Sequence, residues 1–284
     1  MRADVLRLAA FPFEGRGGNP AGVVLDAENM SDQEMQEVAK SIGYSETAFL
    51  TSKSGNQIRI RFFAPELEVD FCGHATIAAG VALGHAQGQG TYEFITNTGL
   101  VSVTVSSDGS DYKAELESRP GWIMEFDQNV LDELLRIFDW QVFDLQPEMA
   151  PKLANAGNTH PILVLKDTQT LQNMRYDFGA LQDICRVNMW PTVQLVARES
   201  DEVWQSRNPF AYGGVYEDPA TGSAAAAFGV YLREVALYAA GASFSIKQGF
   251  SMGQPCLLKV TIGDAGTCRV AGGAIVISEP QVNT

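Results

Sequence analysis

Cysteine is scarce in this sequence of 284 residues, and the four present, Cys72, Cys185, Cys256 and Cys268, show no paired spacing. That pattern excludes a disulfide framework and a multi-cysteine zinc module, and it suits a reduced compartment. Basic residues are the second shortage: 20 Lys and Arg stand against 34 Asp and Glu, a net charge of −14. They are scattered rather than massed on one predicted face, so nucleic acid is not expected as a partner. Long apolar runs are also missing; mean hydropathy is −0.05, and no stretch is long enough to cross a bilayer, so no membrane partner is expected. The opening segment MRADVLRLAAFPFEG is broken by Asp4 and Arg7 and lacks the apolar core of a secretory signal, so the expected location is cytoplasmic.

What is present is most telling at residues 217–232, EDPATGSAAAAFGVYL. Its first part is turn chemistry; its second is a helix of small and apolar residues with no face for water, hence a buried helix. Thr221, Gly222 and Ser223 stand at its start, where unpaired N–H groups and the positive end of the helix dipole favour an anion, with Asp218 beside them. An earlier stretch repeats the design. GHATIAAGVAL from Gly73 aligns with GSAAAAFGVYL from Gly222, with identities at Gly73/Gly222, Ala75/Ala224, Ala78/Ala227, Gly80/Gly229, Val81/Val230 and Leu83/Leu232. A fainter echo precedes each, GNPAGVVL from Gly18 and GNTHPILVL from Gly157, in the same order. Two ordered echoes imply a duplicated domain.

Hydrophobic spacing fills in the rest. Strands are expected at residues 5–8 and 21–25, flanking the glycine-rich loop FPFEGRGGNP, and a helix with a Ser31/Glu34 capping box closed by Gly43 follows. IRIRFF alternates as a half-buried strand, and further strands are expected at 92–95, 100–105 and 112–117. After the turn SRPGW come a helix capped by Asp127, strands at 140–145, 162–165 and 193–197, a helix at 178–187, and the strand-like PCLLKVTIG and CRVAGGAIVIS. The expected class is α+β: two similar domains, residues 1–118 and 119–284, each a rolled, mostly antiparallel sheet around a central buried helix, with the last strand free to join the first domain.

Glu46 is the first candidate for chemistry, because it lies between Ser45 and Thr47 where a strand enters the core. Partial desolvation there favours a carboxyl that gives and takes a proton near neutral pH. His74 occupies the place in the first buried helix that Ser223 holds in the second. Cys72 is too isolated for a zinc site and reads as a packing cysteine. Ser223 lacks the Gly-x-Ser-x-Gly elbow of a hydrolase nucleophile, so a donor role is expected.

GNPAGVVL, SETAFL, RFFAPELEVDFCGHAT, EDPATGSA, QGFSMGQP and GGAIVIS, far apart and in this order, resemble the PhzF-like family named for the phenazine-biosynthesis isomerase. The resemblance implies a diaminopimelate-epimerase-like fold, with the site between two domains and commonly a homodimer. It implies that Glu46 moves a proton between substrate carbons while His74, Asp218 and Ser223 bind substrate or assist, with no metal and no organic cofactor. Gly73, Gly222, Thr221 and Asn19, within the same motifs, are expected to complete the binding site. Related epimerases use two opposed cysteines; Cys72 has no counterpart in EDPATGS, so that chemistry is not expected. The expected activity is a proton-shifting, cofactor-independent isomerase acting on a small anionic, carboxylate-bearing metabolite. The alternatives are a one-glutamate epimerase or racemase of an amino-acid-like substrate, and a non-catalytic small-molecule-binding protein.

Overall fold

The computed structural model describes residues 4–109 and 111–277, so Ser278, the last residue of the closing motif, lies outside the described residues. The chain divides into two units, residues 1–116 with 271–284, and residues 117–270.

The first unit contains β1 (Leu6–Ala10), β2 (Asn19–Val24), α1 (Asp32–Ile42), β3 (Glu46–Ser54), β4 (Gln57–Phe63), β5 (Glu68–Val69), α2 (Gly73–Gln87), β6 (Gly90–Thr96), β7 (Gly99–Asp108) and β8 (Asp111–Glu117). Neighbouring strands pair antiparallel except β2 with β3 and β4 with β6. The second unit contains β9 (Trp122–Met124), α3 (Gln128–Ile137), β10 (Lys152–Asn155), β11 (Thr159–Leu165), α4 (Thr168–Gln172), α5 (Phe178–Asn188), β12 (Gln194–Arg198), β13 (Val203–Phe210), β14 (Val215–Asp218), α6 (Gly222–Glu234), β15 (Ser243–Gln248) and β16 (Cys256–Ile262). Its parallel pairs are β11 with β12 and β13 with β15. They fall at the same places in the order of elements as the parallel pairs of the first unit. The last strand, β17 (Cys268–Val276), runs into the first unit, where Leu8, Ala9 and Ala10 pair with Val276, Ile275 and Ala274. The pairing of β17 with β8 closes that sheet on itself.

Each sheet has two covered faces. In the first unit Val24, Phe49 and Phe63 pack with Met35 and Ala39 of α1, while α2 packs on the opposite face, against β1, β2, β3 and β7. In the second, Leu163, Leu165, Leu195 and Ala197 pack with residues of α3 and α5, while α6 packs against β9, β10, β11, β12 and β16. Both central helices are buried along most of their length, from His74 to Gly84 and from Ala224 to Leu232. The aligned glycines explain how they fit: a Cβ on Gly80 would stand 2.8 Å from Ala114 Cβ, and one on Gly229 would stand 2.7 Å from Cys268 Sγ. At that separation the backbone itself is the packing surface.

The capping box of α1 forms as the sequence predicts, with Ser31 Oγ accepting from Glu34 N–H and Gly43 left-handed at φ 72°. Residues 140–145 correct the expected strand. Val142–Asp144 is a short 3-10 turn, because Asp144 accepts the Gln141 N–H at 2.9 Å and the Lys166 ammonium at 2.7 Å, while Val142 and Phe143 stay exposed. Strands β13 and β15 carry Gln205, Arg207, Asn208 and Lys247 among their apolar residues, which blurs the alternation that would mark them in sequence.

Candidate functional site

Glu46 opens β3, and strand alternation decides where it points. Thr47 and Phe49 face α1; Glu46 and Ala48 face α2. Glu46 therefore meets the start of α2, where His74 is buried. His74 Nε2 lies 3.3 Å from Glu46 Oε2 and 3.3 Å from Ser45 Oγ. The Glu46 side chain is 16% exposed, and its Oε2 is buried without a hydrogen-bonding partner. Cys72, just ahead of the helix, brings Sγ to 3.4 Å from His74 Nδ1. Donor atoms of Glu46, Cys72 and His74 all lie within 4.8 Å of one another, the one such cluster of metal-ligating groups among the described residues. Cys72 is buried, as a packing cysteine would be, and its thiol also borders this cluster. The same three donors that suit proton transfer are of the kinds that hold a borderline-soft cation such as zinc. Asn19 is the buried first residue of β2, whose Ala21 stands opposite Glu46, so it lies on the sheet face that Glu46 shares.

The second unit gathers the remaining expected residues at the start of α6. Thr221 Oγ1 donates to Asp218 Oδ2 at 2.6 Å, and Gln248 ties the turn together: its Oε1 accepts the Thr221 N–H at 3.3 Å and its Nε2 donates to the Asp218 carbonyl at 2.8 Å. The Thr221 N–H is therefore spent on protein, whereas Gly222 and Ser223 begin the helix, where N–H groups have no intrahelical acceptor. Gly73 and His74 occupy the same place in α2. Glu217 is structural: Arg207 grips its buried carboxylate through Nε at 3.0 Å and Nη2 at 2.6 Å. Ser223 Oγ, expected as a free donor, lies 3.0 Å from Nε2 of His160, a fully buried residue on β11. Burial pushes the His160 pKa down to about 4.

Gln248 and His160 are the residues that sequence reasoning missed. His160 falls in the GNTHPILVL echo opposite Ala21, so the duplication itself held the signal: one copy carries an imidazole where the other has a methyl group. Gln248 sits in QGFSMGQP, where the glycines draw attention to the turn and away from the buried strand end before it.

Two similar units, each a rolled sheet around a central buried helix, with polar clusters at the helix starts, define a diaminopimelate-epimerase-like α+β protein. The phenazine biosynthesis-like family model (PhzC-PhzF) matches residues 8–280, and the chain belongs to that family. An uncharacterized isomerase of Bacillus subtilis, YfhB, is 30% identical over 93% of this chain and 92% of its own. The crystal structure of a PhzF-family phenazine biosynthesis protein from Bacillus anthracis superposes with a TM-score of 0.84 at 23% identity, covering 96% of each chain. A probable proline racemase from Agrobacterium radiobacter shares the fold at a TM-score of 0.66 and 12% identity, over 98% of this chain and 93% of its own.

Proposed function

We propose that this chain is a cofactor-independent isomerase that shifts a proton, and with it a double bond, on a small carboxylate-bearing metabolite, with Glu46 as the group that carries the proton. The observation behind this reading is the Glu46 carboxylate, mostly buried, with one oxygen 3.3 Å from His74 Nε2 and no hydrogen bond of its own. A carboxylate in that setting is available to a substrate C–H. As Glu46 takes the proton, the C–H electron pair enters the adjacent π system; the double bond migrates, and the far carbon recovers the proton from the Glu46 carboxyl. Atoms and redox state are conserved, so no co-reactant is required.

His74 supports this carboxylate from 3.3 Å and is itself 3.3 Å from the Ser45 hydroxyl. Developing negative charge on a substrate held beside Glu46 suits the first-turn N–H groups of Gly73 and His74, and the start of α6 in the second unit offers those of Gly222 and Ser223; such donors are worth most when fixed before the reaction begins. Asp218 and Asn19 complete recognition of polar substituents in this reading. A second reading is epimerisation at one carbon, favoured by the Cys72 thiol 3.4 Å from His74 Nδ1, which supplies another proton-bearing group beside the imidazole.

The test is a screen of small cyclic and unsaturated acids in deuterated water, scored by mass spectrometry for deuterium on carbon. Isomerisation places the label on a different carbon from the one deprotonated, and epimerisation inverts a single labelled centre. A full screen without incorporation, on protein whose fold is verified, would sink both readings in favour of a binding protein.

A further inference from the structure

The second unit contains a chain of buried polar side chains that the proton-transfer reading leaves unused. It begins at Ser223, the second residue of α6, whose Oγ lies 3.0 Å from His160 Nε2. On the far side of the ring, His160 Nδ1 is 3.1 Å from the Thr192 carbonyl oxygen and 3.0 Å from Thr192 Oγ1. Asn208 Nδ2 then donates to Thr192 Oγ1 at 3.2 Å, and Ser206 Oγ donates to Asn208 Oδ1 at 2.7 Å. His160 and Asn208 have no exposed surface, and Thr192 and Ser206 are also buried.

The direction of the protons follows from the chemistry of the groups. A backbone carbonyl only accepts, so the ring nitrogen facing Thr192 carries the hydrogen. The opposite tautomer would set a bare nitrogen lone pair against the carbonyl oxygen at 3.1 Å. A neutral imidazole has one N–H, so Nε2 is left as an acceptor and the Ser223 hydroxyl must donate to it. Neutrality is consistent with a site whose ring partners, Thr192 and Ser223, are both uncharged. The depression of the His160 pKa to about 4, caused chiefly by burial, agrees and also makes the ring a poor base for activating the serine as a nucleophile.

We propose that His160 is a positioning residue: it holds the Ser223 hydroxyl proton and leaves Ser223 Oγ to a ligand as an acceptor, so this site reads a hydrogen-bond donor, a hydroxyl or ammonium group, near the substrate carboxylate. The inference rests on the reading that the start of α6 takes part in substrate binding. It goes further by naming the substituent, and by reversing the donor role that sequence context suggests for Ser223. Without His160 the hydroxyl rotates freely and loses its preference between donors and acceptors.

Two measurements on the full chain test it, and neither needs turnover. Long-range 1H–15N spectra of the three histidines, His74, His85 and His160, should show His160 neutral with its proton on Nδ1 and unchanged from about pH 8 to about pH 5. Ser223→Ala should move the His160 Nε2 resonance. An Nε2–H tautomer, or titration near the ordinary imidazole value, overturns the proposal. Lactate and propionate, carboxylates of similar size with and without a 2-hydroxyl, are then titrated while the Ser223 amide is followed. One hydrogen bond to Ser223 Oγ predicts lactate tighter by about fivefold, falling to about equal in His160→Phe and in Ser223→Ala. Should His160→Phe fail to fold, Ser223→Ala carries the comparison alone. Equal affinities in the wild type, or a preference that survives Ser223→Ala, overturn this inference only. Failure of both acids to bind overturns the substrate-site reading and this inference with it.

Discussion

The two units keep one frame and carry different chemistry. Both pair their strands in the same order, with parallel pairs at the same two places, and both bury a helix whose matched glycine, Gly80 or Gly229, lets the backbone approach a neighbouring strand. The difference lies at the strand pair entering beside each helix start. In the first unit Ala21 stands opposite Glu46, and His74 is the second residue of the helix. In the second, the register that pairs Ile162 with Gln194 puts His160 opposite Thr192 two residues earlier, and Ser223 stands at the helix start. One unit thus holds a carboxylate, a thiol and an imidazole in reach of one another; the other holds an imidazole among neutral dipoles. Duplication preserved the packing, which is costly to change, and left the helix starts free to diverge.

The largest expected effect falls on the first unit. Glu46→Gln keeps shape and removes the exchangeable proton, so deuterium incorporation into whichever acid the screen identifies should fall by about 100-fold to 10,000-fold, with the circular dichroism spectrum unchanged. Exchange within a few-fold of wild type would end the assignment of Glu46 and with it the asymmetry between the units.

Next in size is an ion pair that both units make, Arg61 with Glu68 and Arg207 with Glu217, and that lies deeper in the second. Arg207 holds Glu217 in two-nitrogen contact and also donates to the Gln172 and Met174 carbonyls at 3.1 and 3.3 Å. Arg207→Ala leaves a buried carboxylate without its partner, and the unfolding free energy should drop by about 3 to 5 kcal/mol in denaturant titration. The frame the units share is probed by Gly80→Val and Gly229→Val. Each forces a side chain into a contact already under 3 Å, and each should cost about 1 to 3 kcal/mol. A large loss at one glycine and none at the other would show that the matched positions are not equivalent.

These contrasts also show what the sequence makes legible. The buried helices, the α1 capping box and the doubling of the domain are visible because they rest on local rules: small residues without a polar face, Ser31 with Glu34, and identities at fixed spacing. Glu46 and His74 can be singled out individually, but their approach depends on the alternation of β3 relative to α1, which only the paired sheet establishes. The Ser223–His160 contact spans 63 residues, and Gln248 reaches 27 residues back to Thr221; no local pattern encodes either. The expected strand at 140–145 failed because Asp144 caps its own turn, a side-chain event that hydrophobic spacing does not register.

A pH titration of stability sharpens the comparison from the second unit. The pKa of His160 is about 4 in the folded chain, against an ordinary value near 6.5 in the unfolded chain. Between those values the unfolded chain binds more protons, so stability rises with pH across that window and levels off above it. As pH falls from 6.5 toward 4, wild type should lose up to about 3 kcal/mol more than His160→Phe, measured by chemical denaturation at each pH. Parallel curves for the two proteins would mean that His160 is not held neutral by burial.

The smallest effect is expected at Cys72, and its smallness is what makes it informative. The thiol lies 3.4 Å from His74 Nδ1 and shares the Glu46 cluster, so geometry alone permits it to be a second acid/base group or a metal ligand. If Glu46 alone carries the proton, Cys72→Ala removes a contact that helps orient the imidazole and leaves the transfer intact. Exchange should then stay within about threefold of wild type, well short of the 100-fold or more that loss of a general acid or base produces. The same reading expects prolonged dialysis against EDTA to leave the rate unchanged, since proton transfer by a carboxylate draws on no cation. A collapse in Cys72→Ala with EDTA-treated wild type fully active would identify a thiol mechanism. A collapse in both would identify Glu46, Cys72 and His74 as metal ligands, and the contrast between the units would become one between a cation site and a hydrogen-bonding site.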